Sequence, residues 1–298
     1  MMPLLDAANQ QLLNSMNITQ RDLNRAQNEV SSGLRINRAS DDPTAINDLL
    51  ATRSELAGYT QTQKNLTEVQ AEVQAADSGV QNALQALDTA RSLAAQGANT
   101  TLTASDRAGL ADQVSGIIAQ LVSISRTEVN GVYIFSGDQT STPPYELDSS
   151  SPSGVNQLVT ASSTRLIQDA TGLTFASSKT AAQLFGNVFD VLGNLRNALL
   201  SNDPSAIQAT AGALSAAQQT LNEQGGAFYG MVLNRVSTAL DLANKFQTQA
   251  QGNLSHQQDA DVAAEALQIT QDTTHLNAAM ASAAKQRTTS LFDYLPPS

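Results

Sequence analysis

The two ends of the chain carry the same sparse seven-residue pattern of apolar positions. Such a repeat, with a second apolar position four residues after the first, predicts an amphipathic helix with one narrow stripe. Because a single apolar stripe must be buried against something, each terminal helix is predicted to pack against the other. The repeat consists of Leu5, Leu12, Thr19, Ala26 with Asn9, Met16, Leu23, Val30 at the front, and of Val262, Ile269, Leu276, Ala283 with Ala266, Thr273, Met280, Arg287 at the back.

This stripe is thin, since alanine and threonine occupy several of its positions. A helix pair with so little apolar surface is expected to be only marginally stable alone, so we interpret it as a surface kept for assembly. An ordinary core face is the alternative interpretation of the same repeat. The predicted assembly interface comprises Leu5, Leu12, Met16, Leu23, Val30, Val262, Ile269, Leu276, Met280 and Leu291.

Composition favours a structural protein built from long helices. Aromatic residues make up only 4% of the 298 residues and tryptophan is absent, whereas a compact enzyme core usually holds more bulky rings. The net charge of −11 disfavours nucleic acid and anionic membrane surfaces as partners. The absence of cysteine removes disulfides and thiolate chemistry. We see no stretch long and apolar enough to span a membrane and no cleavable signal at the front, so export would need another route.

The patterns along the chain predict a mainly α protein. We expect an elongated bundle of long helices, paired N- and C-terminal coiled-coil helices and a small β-rich insert. The first helix is predicted to end at Gly33, a second to run to about Gln96, and the third to be capped by Ser105-Asp106. Gly225-Gly226 and Gly230 predict a kink or a bulge, and the polar stretch 252–261 predicts a hinge. The predicted domains are 1–42 with 256–298 for assembly, 43–136 with 179–255 for the bundle, and 137–178 for the insert.

Within and before the insert, short β-branched or aromatic segments predict strands. These segments are Val132-Tyr133-Ile134-Phe135, 157–161, 164–168 and 173–176.

No catalytic, cofactor-binding or metal-binding constellation stands out. His256 and His275 each lie near acids on polar helical sequence, where a solvated histidine is the ordinary interpretation. Asp41-Asp42 could hold a cation or act as paired acids, but Pro43 and a long helix follow directly, which favours helix capping. We therefore expect no cofactor and no enzymatic activity.

The loop after the first helix resembles a known sequence motif. Residues 31–43, Ser-Ser-Gly-Leu-Arg-Ile-Asn-Arg-Ala-Ser-Asp-Asp-Pro, closely resemble the N-terminal motif of bacterial flagellins and their relatives. Residues 90–99, Ser105-Asp106-Arg107 and Asn234-Arg235 are similar to further shared segments. Residues 130–137, 142–145 and 289–295 are most similar to the branch of that family that lies between hook and filament. The motif residues that the resemblance singles out are Gly33, Arg35, Asn37, Asp41, Asp42 and Pro43.

The resemblance implies a structural subunit of the bacterial flagellum. The implied partners are identical subunits in a ring, hook-associated protein 1 below, flagellin above, and a cytoplasmic export chaperone on the C-terminal helix. The implied location is extracellular, reached without a cleavable signal peptide. A flagellin filament subunit is the alternative, and an enzyme or ligand-binding protein on a helical scaffold is a remote one.

Overall fold

The computed structural model describes the backbone of residues 2–287 and the side chains of residues 10–284. The fold is mainly α, as predicted, and its small β part consists of three hairpins. The helices are α1 (Met2–Ser32), α2 (Ile46–Gly97), α3 (Ala104–Ser125), α4 (Ala181–Leu200), α5 (Pro204–Leu221), α6 (Phe228–Gln258) and α7 (Val262–Arg287), with a π-helical turn at Asn222–Ala227. The strands are β1 (Glu128–Val129), β2 (Val132–Tyr133), β3 (Tyr145–Leu147), β4 (Val155–Gln157), β5 (Leu166–Gln168) and β6 (Thr174–Ala176).

The contacts divide the chain into two compact units. Residues up to 57 and from 248 onward form one, here called the terminal unit. Residues 58–247 form the other, called the bundle unit. Helices α2 and α6 contribute residues to both. The three domains proposed from the sequence stay a prediction.

The bundle unit holds a continuous hydrophobic core along α2 to α6. Phe135, Phe185 and Tyr229 are nearly inaccessible to solvent at its centre. The ring of Phe135 meets that of Phe185 edge-on at 5.5 Å between centroids, and that of Tyr229 at 6.4 Å. Edge-to-face rings stabilise a core beyond their area alone, so this cluster is the firmest part of the unit. Burial raises the pKa of Tyr229, whose hydroxyl accepts a hydrogen bond from Lys179 N at 3.2 Å.

Capping residues set where helices α3 and α5 begin. Thr103 is the N-cap of α3, with a reciprocal capping box to Asp106, so the predicted cap at Ser105-Asp106 lies two residues too late. Asp203 caps α5, with Pro204 at its first position. Side-chain oxygens thereby satisfy backbone N–H groups that have no partner within the helix.

The predicted kink at Gly225-Gly226 is the π-helical turn. A side chain at Gly225 would place its Cβ only 2.8 Å from Val80 of α2, so glycine allows the turn to press closely on that helix. The predicted hinge over 252–261 is wrong for most of its length. Helix α6 continues through Gln258, and only three residues separate it from α7.

The strands form three separate antiparallel hairpins, β1–β2, β3–β4 and β5–β6. Ile134 and Phe135, predicted as strand, are buried but lie beyond the end of β2 at Tyr133. Tyr145 and Phe175 join the bundle core. Arg165 pairs with Glu72 of α2 at 2.6 Å. The hairpins are therefore held to the helices by apolar packing and by a partly buried ion pair.

Candidate assembly interface

Helices α1 and α7 of the terminal unit pack against each other along one face. The end of α1 lies beside the start of α7, where Ala260 N donates to Gly33 O at 3.0 Å, so the two helices run antiparallel. Among the side chains of α1 that the structure describes, residues 10–32, only Leu23 and Ala26 are apolar and almost fully buried. The heptad repeat thus corresponds to a real but weakly filled seam between the two ends of the chain.

The predicted interface residues differ in burial. Leu23 is buried, whereas Val262 and Met280 remain 45% and 46% exposed. The side chain of Leu5 and all of Leu291 lie outside the described residues. The remaining members are half-buried, namely Leu12, Met16, Val30, Ile269 and Leu276.

Further large apolar side chains on these helices face solvent and were not among the predicted interface residues. Leu13 is 58% exposed, Ile18 50% and Leu267 59%. They lie off the heptad positions, so a search for one stripe passed over them. An apolar residue next to a heptad position was the signal in the sequence that could have identified them.

The loop that follows α1 closes the helix pair. Gly33 adopts a positive φ of 72°, and its N–H donates to Glu29 O at 2.8 Å, which ends the helix as predicted. The next residues run antiparallel across the break between α6 and α7, with a bridge between Leu34 and Asp259. Arg35 N donates to Gln258 O at 2.7 Å, and Ile36 is buried. The resembled motif thus connects positions more than two hundred residues apart in the chain.

Arg35 ties this loop to the C-terminal end of α6. Its guanidinium donates to Gln257 O at 2.8 Å and to Asp42 Oδ2 at 3.2 Å. Backbone carbonyls in the last turn of a helix lack partners within it and carry partial negative charge, so a cation there is favourable.

The two aspartates of the motif organise backbone. Asp41 Oδ2 accepts from the N–H groups of Asn37 and Arg38 at 3.0 and 2.7 Å. Asp42 accepts from the Thr44 hydroxyl at 2.7 Å and from Ala45 N at 3.1 Å. The hydrogen bond from Thr44, followed by those from Ala45 N and Arg35, lowers the pKa of Asp42 to about 2.

Pro43 is exposed in the turn before α2, and Asn37 Nδ2 donates to Ser32 Oγ at 2.8 Å. Over residues 10–284, whose side chains are described, no group of three or more His, Cys, Asp or Glu side chains is placed to hold a metal ion. The motif therefore serves here to shape and fasten a loop.

Carboxylates are also buried in the helix pair, which the repeat did not predict. Glu29 of α1 is only 3% exposed and pairs with Arg25 at 2.7 Å. Glu265 of α7 faces it, and burial together with repulsion from Glu29 raises the pKa of Glu265. Asp272, 6% exposed, accepts from Gln268 Nε2 at 3.0 Å. Part of the buried helix surface is thus polar, which weakens the seam further.

Comparison with known proteins shows similarity to flagellins and to a flagellar hook-associated protein. The model of the bacterial flagellin N-terminal helical region matches residues 6–140, which include α1, the motif loop, α2 and α3. A flagellin of Clostridium tyrobutyricum is 30% identical over 115 residues, which cover 39% of this chain and 30% of that protein. Flagellar hook-associated protein 3 of Salmonella typhimurium is 29% identical over 161 residues, covering 54% of this chain and 49% of that one.

The matched stretches span less than half the length of these two curated relatives. The solved structure of flagellar hook-associated protein 3 from Legionella pneumophila superposes with a TM-score of 0.61, at 15% identity, over 70% of this chain and 98% of that one. At that identity the likeness shows a shared fold. The sequence of residues 6–140 is therefore similar to the N-terminal helical region of bacterial flagellins, and the fold resembles that of a hook-associated protein 3.

Proposed function

We propose that this chain is a structural subunit of the bacterial flagellum that joins the hook to the filament. The observation that carries the proposal is the exposed apolar surface of the terminal unit. After α1 and α7 have packed together, Ile18 and Leu267 still expose half or more of their side chains. In an assembled tube, neighbouring copies would cover these apolar side chains, and their burial would offset the entropy of ordering the helices.

The choice of the junction over the filament rests on the relative with the longer match. Hook-associated protein 3 of Salmonella typhimurium aligns over 161 residues, against 115 for the flagellin of Clostridium tyrobutyricum. The resemblance of residues 130–137 and 142–145 points to the same branch. The third segment of that resemblance, 289–295, lies outside the described residues.

In this role the chain forms a ring of identical subunits between hook-associated protein 1 and flagellin. An export chaperone holds its C-terminal helix before assembly, and the chain acts outside the cell without catalysing a reaction. Within the described residues, no helix is long and apolar enough to cross a membrane. A flagellin filament subunit is the second candidate, because a flagellin also matches this chain, at 30% identity over 115 residues.

A test of assembly uses two apolar residues of similar exposure. We expect Leu267→Asp, in the terminal unit, to leave the monomer folded but to abolish motility. Met231→Asp, at a 63% exposed position of the bundle unit, is the matched control and should leave both unchanged. Circular dichroism checks folding, and swimming of the complemented deletion strain checks function. Normal motility with Leu267→Asp would remove the assembly role of this surface.

A second test separates junction from filament. Subunits that stack on themselves propagate into open helical filaments, whereas a junction subunit must fit one neighbour below and another above. Purified protein seeded under conditions that polymerise flagellin should therefore give no long filaments in electron micrographs. A strain lacking the protein should make hooks but release flagellin into the medium. Long ordered filaments of the pure protein would favour the filament subunit instead.

A further inference from the structure

A polar groove at the end of α1 collects an unusual share of the positive charge. It encloses about 1100 Å³ beside the motif loop. The chain has only 16 lysines and arginines against 27 acids, yet four arginines line this groove. The groove is lined by Arg21, Arg25, Arg35 and Arg38, with Asn24 and Asn28 among the uncharged donors.

Two of these arginines form ion pairs and two do not. Arg25 pairs with Glu29 at 2.7 Å, and Arg35 pairs with Asp42 at 3.2 Å. Over residues 10–284, Arg21 and Arg38 form no ion pair. The Arg21 guanidinium only donates to Asn17 O, at a long 3.4 Å.

The carboxylates at the groove are already engaged, and Asp42 pairs with Arg35. Glu29 is buried against Arg25, and Asp41 is engaged by backbone N–H groups. The groove therefore presents unpaired guanidinium groups together with amide donors. Guanidinium groups bind carboxylates with directed, charge-assisted hydrogen bonds.

We infer that this groove receives carboxylate side chains from the surface of a second copy of the chain. Once the four arginines and two acids of the groove are set aside, the rest of the chain carries 12 basic and 25 acidic side chains, so another copy offers the complementary charge. The groove also lies on α1, the helix that carries the exposed Ile18. The inference rests on the proposed function, because assembly is what brings a second copy within reach.

The test places a photo-reactive benzoylphenylalanine at Asn28, an exposed residue of the groove. Irradiation of assembled flagella should give a covalent dimer of this chain. The acceptor peptide, identified by mass spectrometry, should carry aspartate or glutamate. The double variant Arg21→Glu with Arg38→Glu should lose the dimer. Arg53→Glu, an exposed position on α2 outside the groove, should retain it. Circular dichroism of all three verifies folding, and Arg21→Gln with Arg38→Gln should weaken the dimer without introducing repulsion.

Three outcomes would overturn the inference. They are a crosslink to a different protein, an acceptor peptide without acids, and a dimer that persists in the double glutamate variant. Failure of the proposed function looks different, because a strain lacking the chain would then keep its filaments attached. A strain that sheds flagellin while the double glutamate variant still crosslinks would contradict the groove and leave the junction role standing.

Discussion

The terminal unit and the bundle unit are both helical, but they use their apolar residues in opposite ways. The bundle unit encloses Phe135, Phe185 and Tyr229 in a continuous core that also takes side chains from the hairpins. The helix pair of the terminal unit buries little beyond Leu23 and Ala26 in α1 and leaves Leu267 in solvent. The difference indicates that the bundle unit is stable through its own packing, whereas the terminal unit depends on the surface that covers it.

Hydrogen exchange of the monomer should show this contrast most strongly. Amides of α1 and α7 should open at much lower free energies than those of the bundle unit, because few apolar contacts hold them. Amides of α3 and α4 should exchange only on global unfolding, at about 5 kcal/mol or more. Exchange followed by mass spectrometry on dilute protein measures both in one experiment. Equal protection of the two sets would mean that the terminal helices belong to a stable monomer core.

Truncation of a core side chain should lower the stability of the bundle unit by a large amount. Phe185 is fully buried and meets Phe135 edge-on, so Phe185→Ala should cost about 3–5 kcal/mol in the free energy of unfolding. Urea denaturation followed by circular dichroism provides the measurement. Leu23→Ala, which opens the helix pair instead, should leave the main transition in place. A comparable loss for Leu23→Ala would join the two units into one cooperative structure.

The features predicted well from the sequence are those set by local chemistry. The end of α1 at Gly33 needs only glycine's conformational freedom, and the irregularity expected at Gly225, which is a π-helical turn, needs only its small size. The hinge expected over 252–261 failed because its backbone partners are distant in sequence. Gln258 is buried and its carbonyl accepts from Arg35 N, and no local pattern records such a contact.

The same distinction applies to the candidate interface. The repeat located Leu23 on a buried face, but it could not reveal that Glu29 is also buried, since a charged residue normally indicates a solvated position. The spacing of Arg25 and Glu29, four residues apart, was consistent with an ordinary surface pair. Only the approach of α7 shows that this pair lies within the contact.

Removal of the Arg35 side chain should loosen the motif loop. The Arg35 guanidinium donates charge-assisted hydrogen bonds to Gln257 O and to Asp42. Such bonds contribute about 1.5–3 kcal/mol each when they are shielded from water. Because the Arg35 side chain is 40% exposed, we expect Arg35→Ala to lower the local opening free energy by only about 1 kcal/mol. Exchange of the Arg35 and Ile36 amides measures it, with Arg53→Ala as the exposed control. Unchanged exchange would show that the backbone bonds to Gln258 suffice.

The smallest expected effect is a dependence of the helix pair on pH through Glu265. Its pKa in the folded state lies above its ordinary value of 4.5, because burial and the facing Glu29 disfavour its charge, and Asp261 adds to this while Arg25 opposes it. An acid that binds its proton more tightly when folded stabilises the fold below its unfolded pKa, and that contribution is lost as the pH rises through the folded pKa.

The α1–α7 contact should therefore protect its amides better near pH 4.5 than near pH 7, after correction for the intrinsic exchange rate. The motif carboxylate Asp42 acts in the opposite sense, since its pKa is lowered to about 2, but its contribution is constant across this window. Glu265→Gln isolates the effect, because glutamine keeps the shape and cannot ionise. The variant should show flat protection from pH 4.5 to 7 at the level that the natural chain reaches only at the acidic end. If protection in the natural chain rises with pH, the sign of the Glu265 effect is reversed. Arg25 and the two glutamates would then form a cluster that stabilises the helix contact when both glutamates are charged.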